Sequence, residues 1–336
     1  MLMRRLLLLC LVLLSGSAVA VAGEGADGPT PVRIGMTLDQ IVEIDQKSEN
    51  FSAVYTLRIR YREPALAYEP TPGAPPFRML TFARAMEELQ THGVVWPGMF
   101  LANQQGRHDL SRQGMRIYPD GEVLYIERAT AVFQAPDFDF RDFPFDTQSF
   151  YIRVESLLPD SLFVFEPLSE HIGVGDQLGE EEWVVFTSAA VVDTITGADG
   201  LGYSRFSLGF QANRHLLYYV VRIFVPMLII LVVSWSTFRL KDYMKRIDIG
   251  ITVLLLLIAF NFTLGNDLPR LGYLTAVDAF IAGTFVITGA VILVNVQLRI
   301  WQHQGREREA ERLDRLARIG YWPAYLVGMS TALLLL

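Results

Sequence analysis

The chain has 336 residues, 51% of them hydrophobic, and a formal net charge of −7. Its histidines (His92, His108, His171, His215 and His303) lack metal-ligand spacing, and its one cysteine, Cys10, excludes an internal disulfide or a cysteine metal site. No Ser/His/Asp arrangement, Gly-rich phosphate loop or basic aromatic-interleaved patch is present, so neither an enzyme nor a nucleic-acid binder is indicated, and no cofactor is expected.

Residues 1–22 begin with a basic Met1-Leu2-Met3-Arg4-Arg5, continue through an apolar LLLLCLVLL and end in small residues. They read as a removable secretory signal, with a retained anchor as the alternative. The remainder divides by charge. Residues 23–216 carry 28 acidic and 15 basic side chains, and residues 217–336 carry 8 and 12.

Residues 23–216 hold short runs rich in Val, Ile, Tyr and Phe, such as SAVYTLRIRY and EVLYIERATAVF, separated by turn signals such as Pro119-Asp120-Gly121. That pattern predicts an all-β, immunoglobulin-like antiparallel sandwich. The stretch FRMLTFARAMEELQTHG predicts one short helix stopped by Gly93.

Four apolar segments follow, at about 217–238, 247–266, 273–297 and 319–336. They predict a four-helix transmembrane bundle. Arg239, Lys241, Lys245 and Arg246 lie between the first two segments, and Arg299, Arg306, Arg308, Arg312, Arg315 and Arg318 between the last two. The positive-inside rule places both loops in the cytoplasm and the β-domain outside, as the signal peptide also requires.

Asp248 lies inside the second segment, where an unpaired carboxylate costs several kcal/mol unless it faces water or a partner. Steps of four and three lead from Asp248 to Thr252, Leu255, Ala259, Phe262 and Asn266, one helical face with polar ends. One helix cannot enclose water, so such a face lines a pore only when copies surround an axis. Asp248 then forms a carboxylate ring selecting cations, and Leu255 an apolar constriction. Arg246 is expected to point to the cytoplasmic vestibule. The competing reading is an Asp hydrogen-bonded inside its own bundle. Arg222 and Asp278, at matching depths, are expected to pair.

The stretch PDFDFRDFPFDTQSF at 136–150 resembles the signature loop of the pentameric ligand-gated ion channels, the Cys-loop receptor family. Phe143-Pro144-Phe145-Asp146-Thr147-Gln148 matches its core, while Pro136 and Phe150 replace the bracketing cysteines, as in the prokaryotic branch. Trp96-Pro97, Asn103, YPDG at 118–121, Arg214 twelve residues before Pro226, SWSTF, IAFN and NDLPR match in order along the mature chain.

The resemblance implies a homopentamer with four identical partner subunits in the bacterial inner membrane, the β-domain in the periplasm. It implies a channel for monovalent cations, whose second helices rotate or tilt when a small molecule, proton or divalent cation acts from outside. It also implies coupling residues Asp45, Phe143, Pro144, Phe145, Asp146, Arg214 and Pro269, with both acids flanking Arg214. A subunit-interface pocket would use Phe100, Tyr203, Tyr61 and Glu155. Leu157 stands where a ring is expected, which argues against a simple amine. The acidic run Asp176, Glu180, Glu181 and Glu182 offers a proton- or Ca²⁺-responsive cluster, with a solvated surface run as the alternative. A non-conducting membrane sensor is the rival function, although the 20-residue loop 298–317 is short for an effector.

Overall fold

The computed structural model describes residues 28–175, 183–265 and 271–334. The expectations placed on residues 1–22, on Asp176 and Glu180 to Glu182, and on Asn266 and Pro269 lie outside the described residues.

The β-domain is two packed sheets. The first contains β1 (Thr30–Asp45), β2 (Asn50–Arg62), β3 (Arg78–Leu80), β5 (Gln104–Ile117), β6 (Glu122–Gln134), β8 (Phe163–Pro167) and β9 (Gly173–Val174), in the order β3-β5-β6-β2-β1-β8 with β9 also on β1. The second contains β4 (Met99–Leu101), β7 (Thr147–Ser156), β10 (Trp183–Thr196) and β11 (Gly202–Arg214), in the order β10-β11-β7-β4. Alternation drives the packing. Phe51, Tyr55 and Phe133 point inward from one sheet and meet Phe150, Phe206 and Phe210 from the other. Phe150 lies 5.2 Å from Phe51 and 5.0 Å from Phe210, ring centre to centre.

One feature departs from a fully antiparallel sandwich: β1 pairs with β8 and β9 in parallel. The chain crosses from one sheet to the other between β7 and β8, so β8 enters beside β1 running the same way. The short helix α1 (Phe82–Thr91) precedes Gly93, whose φ of 67° favours glycine.

Four further helices follow: α2 (Leu216–Arg239), α3 (Tyr243–Leu264), α4 (Ala276–His303) and α5 (Glu307–Leu334). Among the described residues, α2, α3 and α4 are long and apolar enough to cross a membrane. Within α2 a π-helical turn spans Val220–Phe224, just ahead of Pro226. Proline lacks an N–H and crowds the carbonyl four residues back, so the ladder widens there.

Two helix starts differ from the apolar pattern. α3 begins at Tyr243 because the Asp242 carboxylate accepts the Met244 N–H at 2.9 Å, so charged residues form its first turn. α5 begins at Glu307 rather than near 319. Its first half is charged, and hydropathy registers only the apolar second half. α5 packs on the bundle through Tyr321, Tyr325 and Met329 against Leu231, Ala279 and Val291. Gly250 lets α3 approach α4 closely, since a Cβ there would lie 2.7 Å from the Ile292 side chain.

Candidate functional site: the pore helix and its junction with the sandwich

α3 has two contrasting faces. Arg246, Gly250, Val253, Leu257 and Leu264 are buried against the subunit's own helices. Asp248, Thr252, Leu255, Ala259 and Phe262 are exposed on the other side, Leu255 at 61% and Phe262 at 72%. The Thr252 hydroxyl donates to the Asp248 backbone carbonyl at 2.9 Å, which leaves the Asp248 carboxylate out of that bond. The subunit offers Asp248 no ion pair or side-chain hydrogen bond among the described residues. Within its own subunit this aspartate is exposed and is not hydrogen-bonded inside the bundle. Arg246 does not point to a vestibule: it is 3% exposed and faces inward, because two residues along a helix is about half a turn.

At the top of the bundle the signature loop inserts into the helices. Phe140 and Phe143 are buried with Tyr219 and Ile223 of α2, Leu264 of α3, and Val277 and Ile281 of α4. Two hydrogen bonds fasten it: Ala276 N–H donates to Arg141 O at 2.8 Å, and Phe140 N–H donates to the Tyr273 hydroxyl at 3.0 Å. The Phe143-Pro144 peptide is cis, and Phe145 is exposed, with its ring 5.9 Å from Phe224.

Arg214, at the end of β11, donates from Nε to Asp146 Oδ1 at 2.7 Å and from Nη2 to Asp146 Oδ2 at 3.1 Å. The two side chains are 0% and 2% exposed. Gln148 donates to the same carboxylate, and Arg214 donates to the Tyr219 hydroxyl at 3.1 Å. Rings close around the guanidinium: Trp183 at 4.2 Å, Phe143 at 4.8 Å and Tyr219 at 5.7 Å. A charge-assisted fork in an aromatic box joins the last strand to the first membrane helix.

Asp45 does not complete this cluster. Its carboxylate accepts the Lys47 and Ser48 N–H groups and the Ser48 hydroxyl, and so closes the β1–β2 turn. The Ser48 hydroxyl, the larger influence, and those amides hold it below the usual carboxylate range. Asx turns of this kind compete directly with long-range pairing.

The expected ligand pocket is only partly assembled. Phe100, 44% exposed, is in register with Glu155, and Glu155 with Arg205. Tyr203 sits two residues before Arg205, its hydroxyl donating to Asp199. Tyr61 does not belong there. It is 3% exposed and faces the sandwich interior, 5.9 Å from the Trp96 ring, so it cannot present itself to a neighbouring subunit. Arg205, whose Nε donates to Asp193 at 3.0 Å, places a fixed cation in the same row. Its position two residues from Tyr203 was the available signal.

A second feature had no sequence signal. A cavity of about 380 Å³ in the sandwich is lined by Phe82, Trp96, Tyr125, His108 and Glu127, among others. Buried Glu127 accepts from the Tyr55 and Tyr125 hydroxyls and lies 3.2 Å from His108 Nε2. Burial, then the charge of Glu127, pushes both tyrosine hydroxyls well above their ordinary pKa.

Comparison with known proteins decides the family. The profile of the neurotransmitter-gated ion-channel ligand binding domain matches residues 19–164, and that of the neurotransmitter-gated ion-channel transmembrane region matches residues 223–327. The chain belongs to the pentameric ligand-gated ion channel family. It is 28% identical over 299 residues to a proton-gated ion channel of Gloeobacter violaceus, covering 87% of this chain and 80% of that one. It is 25% identical over 305 residues to a gamma-aminobutyric acid receptor subunit beta-4 of Gallus gallus, covering 87% of this chain and 60% of the relative. It is 28% identical over 228 residues to a gamma-aminobutyric acid receptor subunit beta of Caenorhabditis elegans, covering 64% and 40%. The chain thus spans less than two thirds of either receptor subunit.

Within this ligand-gated channel subunit, Arg222 and Asp278 do not pair as expected. Asp278 caps its own helix: its carboxylate accepts the Thr275 N–H at 2.9 Å and the Thr275 hydroxyl at 2.8 Å, while the Asp278 N–H donates to Thr275 Oγ1 at 3.2 Å. Arg222 lies over the Tyr218 ring and donates to its hydroxyl. A carboxylate three residues from a helix start is satisfied locally before any interhelical partner is needed. Thr275→Val removes both hydroxyl bonds and is expected to destabilise the purified protein by about 1 kcal/mol. An unchanged thermal unfolding midpoint would show that this capping box contributes nothing.

Proposed function

We propose that five copies of this chain form a cation-selective channel of the bacterial inner membrane, with the β-domain in the periplasm and the Asp248 ring as its selectivity filter. The observation that carries the reading is that Asp248, Thr252, Leu255, Ala259 and Phe262 all lie exposed along one line of α3, opposite the face it buries against its own subunit. Copies of α3 around an axis give the Asp248 carboxylate the water and cations that its own subunit does not provide. Four identical subunits and surrounding lipid cover the remaining apolar exposure, and monovalent cations are the permeant species.

Opening follows a periplasmic stimulus. The junction at Arg214 and Asp146 passes movement of the sandwich to α2, and the pore helices rotate or tilt. Protons or divalent cations such as Ca²⁺ are the proposed modulators, acting on a periplasmic domain that carries 28 acidic against 15 basic side chains. Asp176, Glu180, Glu181 and Glu182 are candidate contributors. The proton-gated relative supports this stimulus, and the cation at Arg205 weighs against a simple amine.

The test is single-channel recording of the purified protein in a lipid bilayer under a KCl gradient, with periplasmic-side pH and Ca²⁺ stepped in turn. A reversal potential near that for K⁺, with open probability following one of the steps, is expected. Anion selectivity, or no current under any condition, rejects the channel reading in this form. A response to a small amine alone would return Phe100, Glu155 and Tyr203 to the role of ligand site.

A further inference from the structure

At the inner end of the bundle one guanidinium meets all four membrane-domain helices. Arg246 Nε–H donates to the Leu240 carbonyl at 2.7 Å, and Nη2 donates to the Phe238 carbonyl at 3.1 Å and to Asp314 Oδ2 at 3.5 Å. Nη1 donates to Asp314 Oδ1 and to Asn295 Oδ1, the latter at 3.5 Å. The carbonyls belong to the end of α2 and the residue beyond it, Asn295 to α4 and Asp314 to α5.

An arginine has five N–H donors, and each has an acceptor here. Asn295 is fixed in turn, its amide donating to Val291 O at 2.8 Å, which keeps its oxygen on Arg246. The Tyr243 and Phe238 rings lie 4.9 and 5.9 Å from the guanidinium. This is a built receptor for arginine. Lysine has three donors and no plane, so it cannot satisfy the same set.

The receptor has a consequence for the pore, because Arg246 precedes Asp248 by two residues. Five guanidinium groups released into the inner mouth would lie one helical level below five carboxylates and offset their charge. Carbonyls and Asn295 only solvate the cation. Asp314 is the group in the receptor that neutralises it, and removing that carboxylate strands the buried guanidinium without a counter-charge. The stranded guanidinium gains by leaving for water.

We propose that Asp314 is a specificity-determining positioning residue: it holds Arg246 inside the bundle, so that the ion path carries the Asp248 charge without a compensating one. The fourth helix thereby acts on ion selection without touching an ion. The proposal rests on the reading of Asp248 as the selectivity ring.

The test measures reversal potentials in a KCl gradient for five forms of the full-length channel. The native channel and Asp248→Asn test the underlying reading: a native anion preference, or a native cation preference that Asp248→Asn leaves intact, rejects that reading. Given a cation preference that Asp248→Asn removes, Asp314→Asn is expected to lower the K⁺/Cl⁻ permeability ratio about tenfold. Arg246→Gln combined with Asp314→Asn, which leaves no charge to release, is expected to keep the native ratio. A native ratio in Asp314→Asn, or an equal loss in the double variant, overturns the proposal. Should Asp314→Asn not assemble, Arg246→Lys decides: its charge is retained but its receptor is unfilled, so the ratio falls in the same direction, and a native ratio overturns the proposal.

Discussion

Neutralising Arg214 is expected to cost the protein more stability than neutralising Asp146, although the two form one ion pair. Both side chains are almost fully buried, so removing either partner strands a charge, a loss of about 3–5 kcal/mol. The strandings differ in what remains. In Arg214→Gln the Asp146 carboxylate keeps Gln148 as a donor and loses the cation it is paired with. In Asp146→Asn the guanidinium keeps the Tyr219 hydroxyl and the Trp183, Phe143 and Tyr219 rings within 6 Å, together with the oxygen of the new amide. Cation–π attraction of about 0.5–2 kcal/mol per desolvated ring offsets part of the missing charge. Thermal unfolding of the purified variants should therefore place Asp146→Asn between native and Arg214→Gln, with a gap of about 1–2 kcal/mol. Under the proposed gating by pH or Ca²⁺, the level giving half-maximal opening should shift in both variants. Equal losses would show that the aromatic box contributes nothing. Unchanged opening in an assembled Arg214→Gln would remove the junction from gating.

The parts of this molecule that were legible in the sequence are those set by local periodicity or by a contiguous motif. The stripe from Asp248 to Phe262 follows from helical spacing alone. Phe143 to Gln148 is legible because it is a contiguous motif, held in part by local bonds: Gln148 donates to the Asp139 carbonyl at 2.6 Å and also reaches Asp146. What was not legible depends on register or on distance along the chain. The sequence suggests remote partners for Asp45 and Asp278, but local turn and cap geometry satisfies them first. Arg246 finds Asp314 at a separation of 68 residues, on the charged part of α5 that hydropathy overlooks. For Tyr61 the strand pattern itself carries the signal. Phe51, Ala53, Tyr55, Leu57 and Ile59 alternate as one face of β2, and Tyr61 continues that face into the core.

Replacing Asp248 is expected to have the largest effect on ion selection. A cation on the axis about 5 Å from each of five carboxylates gains about 4 kcal/mol in total even with bulk-water screening, and an anion there loses as much. The competing influence is the acidic β-domain. Its charges act across water and are screened beyond about 8 Å at physiological ionic strength, so they raise local cation concentration without discriminating at the constriction. The ring therefore dominates. Asp248→Asn should reduce the K⁺/Cl⁻ permeability ratio by at least about tenfold, and Asp248→Lys should invert it, moving the reversal potential in a KCl gradient toward that of Cl⁻. The two substitutions separate charge from shape: Asn keeps the size of the side chain and Lys does not. A graded series, cation-selective with Asp, weakly selective with Asn and anion-selective with Lys, identifies an electrostatic filter. Retained cation preference with Lys at 248 would move the filter to another level of the pore, and with it the argument that Arg246 must be kept away from this one.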